Sequence, residues 1–81
     1  MGTVRPRAAL RYEEWSLEPD LEPDAEPTTY AMQCVVDEES SPTSEDYVEP
    51  QEWVLEHLDA NPSHLTYREI ITRPWRAWRR G

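Results

Sequence analysis

The only cysteine of this chain and both of its histidines fall in a pattern that is typical of a metal site. Cys34 and Asp37 form a Cys-x-x-Asp segment, and His57 and His64 follow it along the chain. A tetrahedral zinc site often takes two ligands from one turn and two from later residues, and Asp37 stands where a second cysteine is expected. Such a site would constrain the fold strongly, because a chain of 81 residues buries little apolar surface and needs a further source of stability.

Two interpretations of this cluster stay open. Either Cys34, Asp37, His57 and His64 bind zinc, or the site is degenerate and packing and hydrogen bonds hold the same turn without a metal. A carboxylate is a weaker zinc ligand than a thiolate, and a lone cysteine is often a buried apolar residue. Both facts favour the degenerate site. No cofactor other than zinc is indicated.

The same residue types also occur in Cys-His-Asp triads, in which a thiolate acts as the nucleophile. Strand alternation, however, places Cys34 on the side of the core-facing residues. Gly2 and Gly81 are the only glycines, so the chain has no glycine-rich loop to stabilise an oxyanion. The sequence therefore predicts that the protein is not an enzyme.

Charge is distributed unevenly along the chain. Residues 13–59 contain sixteen acidic side chains and no arginine or lysine, and the net charge of the whole chain is −9. A surplus of acidic groups argues against general nucleic-acid binding, which needs cations for the phosphates. No apolar run approaches the roughly 20 residues that a membrane span requires. The single unpaired cysteine and the lack of a signal-peptide pattern predict a cytoplasmic protein.

Hydrophobic periodicity predicts a small α+β fold that is zinc-finger-like. The expected elements are strands over 8–17, 28–36 and 65–75 and a helix over 50–60. We expect them to form a three-stranded antiparallel sheet packed on one helix, in the order strand-strand-helix-strand. The helix would dock through Trp53 and His57, opposite its acidic face. The expected core consists of Leu10, Tyr12, Trp15, Tyr30, Met32, Trp53, Val54, Leu58, Tyr67 and Ile71.

The domain organisation follows from the same pattern. A disordered N terminus over 1–7 precedes a single domain over 8–76, and 77–81 form a basic tail. Residues 18–27, EPDLEPDAEP, are expected to form an extended, solvated loop, because prolines and acids have no apolar face to bury. The arginines of the last segment are expected to meet the acidic middle of the chain.

Four segments carry a resemblance to a known family. AEPTTYAMQC (25–34), the turn that begins at Cys34 and ends in Glu-Ser-Ser (34–41), EPQEWVLEH (49–57) and NPSHLTYREIITRPWRAW (61–78) resemble small uncharacterised proteins of actinobacteria, of the Streptomyces type. That resemblance implies a compact zinc-finger-like domain with a Cys-x-x-Cys segment and two later histidines. Cys34, His57 and His64 match the implied ligands, and Asp37 departs from them. The resemblance implies no activity.

The predicted function is that of a small non-enzymatic interaction or regulatory module that binds another protein. The alternative is an acidic masking or mimic protein, which would bind a basic partner through the 18–27 and 37–49 stretches. A cysteine-dependent enzyme is the remote alternative. The sequence does not predict the partner, the pathway or the oligomeric state.

Overall fold

A computed structural model describes residues 10–12 and 14–79 of the chain. The disorder predicted for 1–7 lies outside the described residues. The described part contains five strands and one helix: β1 (Leu10–Tyr12), β2 (Trp15–Pro19), β3 (Thr29–Cys34), α1 (Val48–Ala60), β4 (Tyr67–Thr72) and β5 (Trp75–Arg79). Residues 77–79, which were predicted to belong to a tail, thus continue a strand.

The strands divide between two antiparallel sheets. β3 pairs with β4 in one sheet, and β2 pairs with β5 in the other, where the short β1 also adds to β2. The predicted three-stranded sheet on one helix is therefore wrong, because the sheet that α1 packs against consists of β3 and β4. The strand predicted over 65–75 is interrupted at Arg73 and Pro74. Proline cannot donate a ladder hydrogen bond, so β4 ends there and β5 pairs elsewhere.

The chain forms two compact units, one of Met1–Glu26 with Arg73–Gly81 and one of Pro27–Thr72. The second unit holds β3, α1 and β4 and contains all four predicted donor residues. No helix within the described residues has the length and apolar character needed to span a bilayer.

Strand β3 is the best-covered strand of the 27–72 unit. One edge pairs with β4, and the other carries isolated bridges from Tyr30 to Ser44 and from Gln33 to Ser40. Ala31 and Cys34 are the buried apolar residues of this strand. A strand with partners on both edges is fixed in register, so the position of Cys34 at its end is well defined.

The predicted core is only partly correct. Trp15 is 43% exposed and Ile71 is 47% exposed, so neither is a core residue. The other predicted members outside β1 are half-buried, and the burial of Leu10 and Tyr12 lies outside the description. These residues are less buried than predicted mainly because the strands divide between two small sheets. Each sheet has too few neighbours to cover both of its faces.

Helix α1 begins two residues before its predicted start. The carboxylate of Asp46 accepts a hydrogen bond of 2.9 Å from the backbone N–H of Val48, which satisfies one of the free donors of the first turn. At the other end, the backbone N–H of Asn61 donates to the carbonyl of His57 at 2.8 Å, and its side-chain amide donates to the same carbonyl at 3.0 Å. These contacts fix where the helix places His57.

In the other unit, Arg76 of β5 binds two carboxylates of the acidic segment. Its guanidinium lies 3.0 Å from Asp20 and 2.8 Å from Asp24, and the side chain of Asp20 is only 7% exposed. Both ion pairs help to hold the pKa of Arg76 above its usual value. The prediction of a fully solvated loop over 18–27 is thus wrong at its start, where 18 and 19 belong to β2 and Asp20 is held by Arg76.

Removing the charge of Asp20 should destabilise the protein more than removing that of Asp24. Both carboxylates bind Arg76, but Asp24 is 77% exposed in its side chain, and exposed ion pairs contribute little. We expect Asp20→Asn to lower the melting temperature by several degrees and Asp24→Asn to leave it nearly unchanged. Equal melting temperatures for the two variants would show that Asp20 does not anchor the segment.

Candidate metal centre

The four predicted donor residues come from three different parts of the 27–72 unit. Cys34 is the last residue of β3, Asp37 lies in the turn that follows, His57 is on the buried face of α1, and His64 precedes β4. The structure brings all four of them together, with one donor atom of each within 4.8 Å of all the others.

Local hydrogen bonds shape the turn that carries Asp37. The N–H of Glu38 donates to the carbonyl of Cys34 at 2.9 Å, and Glu38 adopts a positive φ of 65°. One oxygen of Asp37, Oδ1, accepts the backbone N–H of Glu39 at 3.0 Å. This hydrogen bond closes the turn and leaves the other carboxylate oxygen, Oδ2, directed at the two histidines.

The donor atoms approach the spacing of a tetrahedral coordination sphere. Oδ2 of Asp37 lies 3.1 Å from Nε2 of His57 and 3.4 Å from Nδ1 of His64, and that same Nδ1 lies 3.6 Å from Sγ of Cys34. With zinc bonds of about 2.0–2.3 Å, neighbouring ligands of a tetrahedron are about 3.3–3.6 Å apart. These three edges therefore need little adjustment to surround one ion.

The arrangement differs from that of a catalytic triad. In a triad, the acid binds the imidazole nitrogen that faces away from the nucleophile. Here Asp37 and Cys34 both approach the same nitrogen of His64, Nδ1. Donors that converge on one point favour a metal ligand set over a proton relay, and Cys34 is completely buried.

Two further residues support His57. Its imidazole ring stacks on Trp53 with ring centroids 4.8 Å apart, as the sequence predicted for the docking face of the helix. Its second nitrogen, Nδ1, lies 3.9 Å from Oε1 of Glu39. That distance is too long for a direct hydrogen bond, but a carboxylate on this side of a histidine ligand is the group that commonly fixes its tautomer and ring orientation. Sequence reasoning missed Glu39, because nothing in a run of acidic residues distinguishes it from Glu38.

The local environment lowers the pKa of Asp37. The hydrogen bond from the backbone of Glu39 is the largest cause, and partial burial opposes it, while Cys34, His57 and His64 lower the pKa further. A carboxyl whose pKa is lower in the folded state stabilises the fold above the unfolded pKa of about 3.9. That stability is lost as the pH falls through the folded pKa.

Asp37→Asn should therefore lower the melting temperature at pH 6 by several degrees when a chelator is present. The difference from wild type should shrink as the pH falls below about 4, because the wild-type carboxyl then becomes neutral as well. Thermal unfolding at a series of pH values measures this. A difference that stays constant down to pH 3 would show that the charge of Asp37 does not stabilise the turn.

The thiol of Cys34 should be strongly protected in the folded protein. It is completely buried, so a thiol reagent can reach it only when the structure opens. We expect alkylation to be at least about 100-fold slower in buffer than in denaturant, in keeping with an opening free energy of a few kcal/mol. Equal rates in the two solvents would contradict the burial of this residue.

The fold and the donor set together define a small two-unit α+β protein with four residues that can hold a metal ion. The chain belongs to the family described as a domain of unknown function, DUF7848, whose profile matches residues 3–81. No curated protein and no solved structure matches it. The expected resemblance to uncharacterised proteins is confirmed at this level, whereas the actinobacterial source and the Cys-x-x-Cys pattern stay predictions.

Proposed function

We propose that the 27–72 unit is a small interaction module whose metal-binding end is held together by one structural zinc ion. The convergence of four donor atoms from β3, its following turn, α1 and the loop before β4 carries this proposal. An ion at that point would link the helix to both strands at one end of the β3–β4 sheet. In a unit of only 46 residues, such a metal link would add the stability that the small apolar core of the described residues does not supply.

The chemistry of the donors favours zinc. One thiolate and two imidazoles form a mixed sulfur and nitrogen set, which suits zinc better than magnesium or calcium. Four protein ligands leave no open position for a substrate, as is usual for structural sites. Cys34 and His57 are buried, His64 is half-buried and Asp37 is exposed, so an ion would be covered on the side of the strand and the helix.

Two cavities of the described residues lie away from the donor residues. A cavity of about 330 Å³ is lined by residues 18–22 and Trp78, and one of about 170 Å³ by 41–44 with Glu49 and Pro50. Neither is lined by a donor residue. A ligand in either cavity would therefore lie away from Cys34.

Exposed aliphatic side chains beside the donors support a role in binding another protein. Val35 and Val36 follow Cys34, Leu65 follows His64, and Val36 and Leu65 are 58% and 75% exposed. A backbone hydrogen bond of 2.9 Å from Val35 to Thr66 holds the two segments together. Exposed apolar groups that lie together are typical of interaction surfaces, and a metal ion would fix the shape of this one.

Native mass spectrometry of protein purified without chelator tests the proposal. We expect one zinc ion per chain in wild type and none in Cys34→Ala or His57→Gln. Asp59→Asn is the matched control, because this residue is an exposed acid of α1 outside the donor set, and it should retain the ion. Wild-type protein that stays metal-free after incubation with zinc would overturn the proposal.

A second function, the binding of a basic partner, is favoured by where the charge lies. Residues 27–72 contain ten acidic side chains and one arginine, whereas the other unit has seven of each sign. The whole net charge of −9 therefore belongs to the 27–72 unit. The 18–27 stretch is a weaker candidate than the sequence suggested, since Arg76 already binds Asp20 and Asp24.

An oligoarginine peptide is a suitable probe of this second function. We expect it to bind the protein with an affinity that falls steeply with salt, and to do so less well when Glu45, Asp46 and Glu49 are replaced by their amides. Replacing Glu22 and Glu26, which lie in the electrically balanced unit, provides the control. The same loss in both sets of variants would show only nonspecific attraction and would reject the idea.

A further inference from the structure

The hydroxyl group of Tyr67 is buried and has no hydrogen-bond partner within the described part of the chain. Buried polar groups are nearly always satisfied, and leaving one unsatisfied destabilises the fold. Phenylalanine would fill the same space without this penalty. The hydroxyl group therefore needs an explanation that packing alone does not supply.

Tyr67 lies beside the candidate metal centre. It is the first residue of β4 and is the direct cross-strand partner of Cys34 in the β3–β4 register. Its ring stands perpendicular to that of His57, with an interplanar angle of 89° and ring centroids 6.0 Å apart. Its ring also meets the edge of Trp53 at 6.5 Å. Tyr67 thus forms part of the wall behind two of the donor residues.

The electrostatics of the side chain agree with this position. Burial is the main reason why the pKa of Tyr67 lies above its usual value, and the neighbouring Cys34 and Asp37 raise that pKa further. Cys34 and Asp37 are thus the side chains whose electrostatic influence reaches Tyr67, and each can accept a hydrogen bond from its hydroxyl group.

Between the two acceptors, the sulfur of Cys34 has the greater free capacity. Oδ1 of Asp37 already accepts the backbone N–H of Glu39, and Oδ2 faces both histidines. The sulfur lies 3.6 Å from Nδ1 of His64, and in its contact with the carboxyl of Asp37 the thiol acts as the donor, which leaves its lone pairs free. A metal-bound thiolate keeps lone pairs that can accept further hydrogen bonds.

We propose that Tyr67 is a positioning residue of the metal centre, whose hydroxyl group donates a hydrogen bond to the metal-bound thiolate of Cys34. This inference rests on the proposed function. It assigns the unsatisfied hydroxyl a partner that gains full negative charge only when the metal displaces the thiol proton. Charge-assisted hydrogen bonds are about twice as strong as neutral ones, so the donor is of most use in the metal-bound state.

Tyr67→Phe separates this role from simple packing, because the two states should respond in opposite directions. In chelator, the variant should melt at the same temperature as wild type or higher, since an unsatisfied group has been removed. Its zinc affinity, measured by competition with a chromophoric chelator, should fall by about 10-fold. With cobalt(II) in place of zinc, the thiolate-to-metal charge-transfer band should move to lower energy, because a thiolate without its hydrogen bond gives up electrons more easily.

Tyr30→Phe is the matched control. Tyr30 also lies on the β3–β4 sheet, but its ring packs edge-to-face on Tyr47. Removing its hydroxyl group should therefore change neither the zinc affinity nor the cobalt band. Wild-type affinity and an unshifted band in Tyr67→Phe would overturn the inference and leave the metal proposal intact. A variant that unfolds in chelator would overturn it as well, since the hydroxyl would then be needed without a metal. Failure of wild type to bind either metal would instead reject the proposed function.

Discussion

Trp53→Ala is expected to remove more than half of the stability of the 27–72 unit, at a cost of about 3 kcal/mol in the free energy of unfolding. The indole ring stacks on His57 and meets the edge of Tyr67, with centroids 4.8 Å and 6.5 Å apart. It is half-buried, which places the effect at the lower end of the usual range for such a truncation. The free energy of unfolding of a small domain is only about 5 kcal/mol in total, so less than half of it would remain.

Urea denaturation of metal-free protein measures the effect. Leu55→Ala is the control, because Leu55 lies on the same helix but is 66% exposed, and surface truncations usually change stability by less than about 0.5 kcal/mol. If Trp53→Ala and Leu55→Ala had the same denaturation midpoint, the helix would not dock through the face that carries His57.

Asp37→Cys should bind zinc more strongly than the proposed site of the wild type does. Two thiolates and two imidazoles suit zinc better than one thiolate with a carboxylate. The carboxylate oxygen of Asp37 already lies 3.1 Å and 3.4 Å from the two histidines, so a sulfur at this position can reach the same ion. Binding to the folded state alone raises stability by linkage.

Thermal unfolding with a reductant present tests this second prediction. We expect zinc to raise the melting temperature of Asp37→Cys by more than about 10 °C relative to chelator, and that of wild type by less. Asp59→Cys is a matched control that adds a thiol outside the centre, and its zinc response should equal that of wild type. A response of Asp37→Cys no larger than that of Asp59→Cys would mean that the four positions do not share one ion.

Local patterns predicted the elements of the fold better than their arrangement. The alternation around Cys34 and the helical phase of Trp53 and His57 correspond to β3 and α1, because both depend on neighbouring residues. The pairing of the strands does not depend on neighbours alone. Pro74 ends the β4 ladder because proline cannot donate to it, but the strand that restarts at Trp75 and pairs with Pro19 follows from tertiary contacts that periodicity does not contain.

The candidate site likewise has some features that the sequence reveals and others that depend on tertiary structure. Cys34, Asp37, His57 and His64 were identified because donor types and spacing are visible in the sequence. Tyr67 was assigned to the core, and its position opposite Cys34 depends on the β3–β4 register. A one-residue shift would have placed its side chain on the other face of the sheet. Glu39 faces His57 only because of the turn that Glu38 and Asp37 form.

Cobalt(II) absorption spectroscopy tests most directly whether the four donors bind one ion together. Tetrahedral cobalt has strong visible absorption, and a bound thiolate adds a charge-transfer band in the near ultraviolet. We expect both features in wild type at one equivalent of cobalt, their displacement by zinc, and loss of the near-ultraviolet band in Cys34→Ser. A weak octahedral spectrum in wild type, unchanged in Cys34→Ser, would contradict the metal centre.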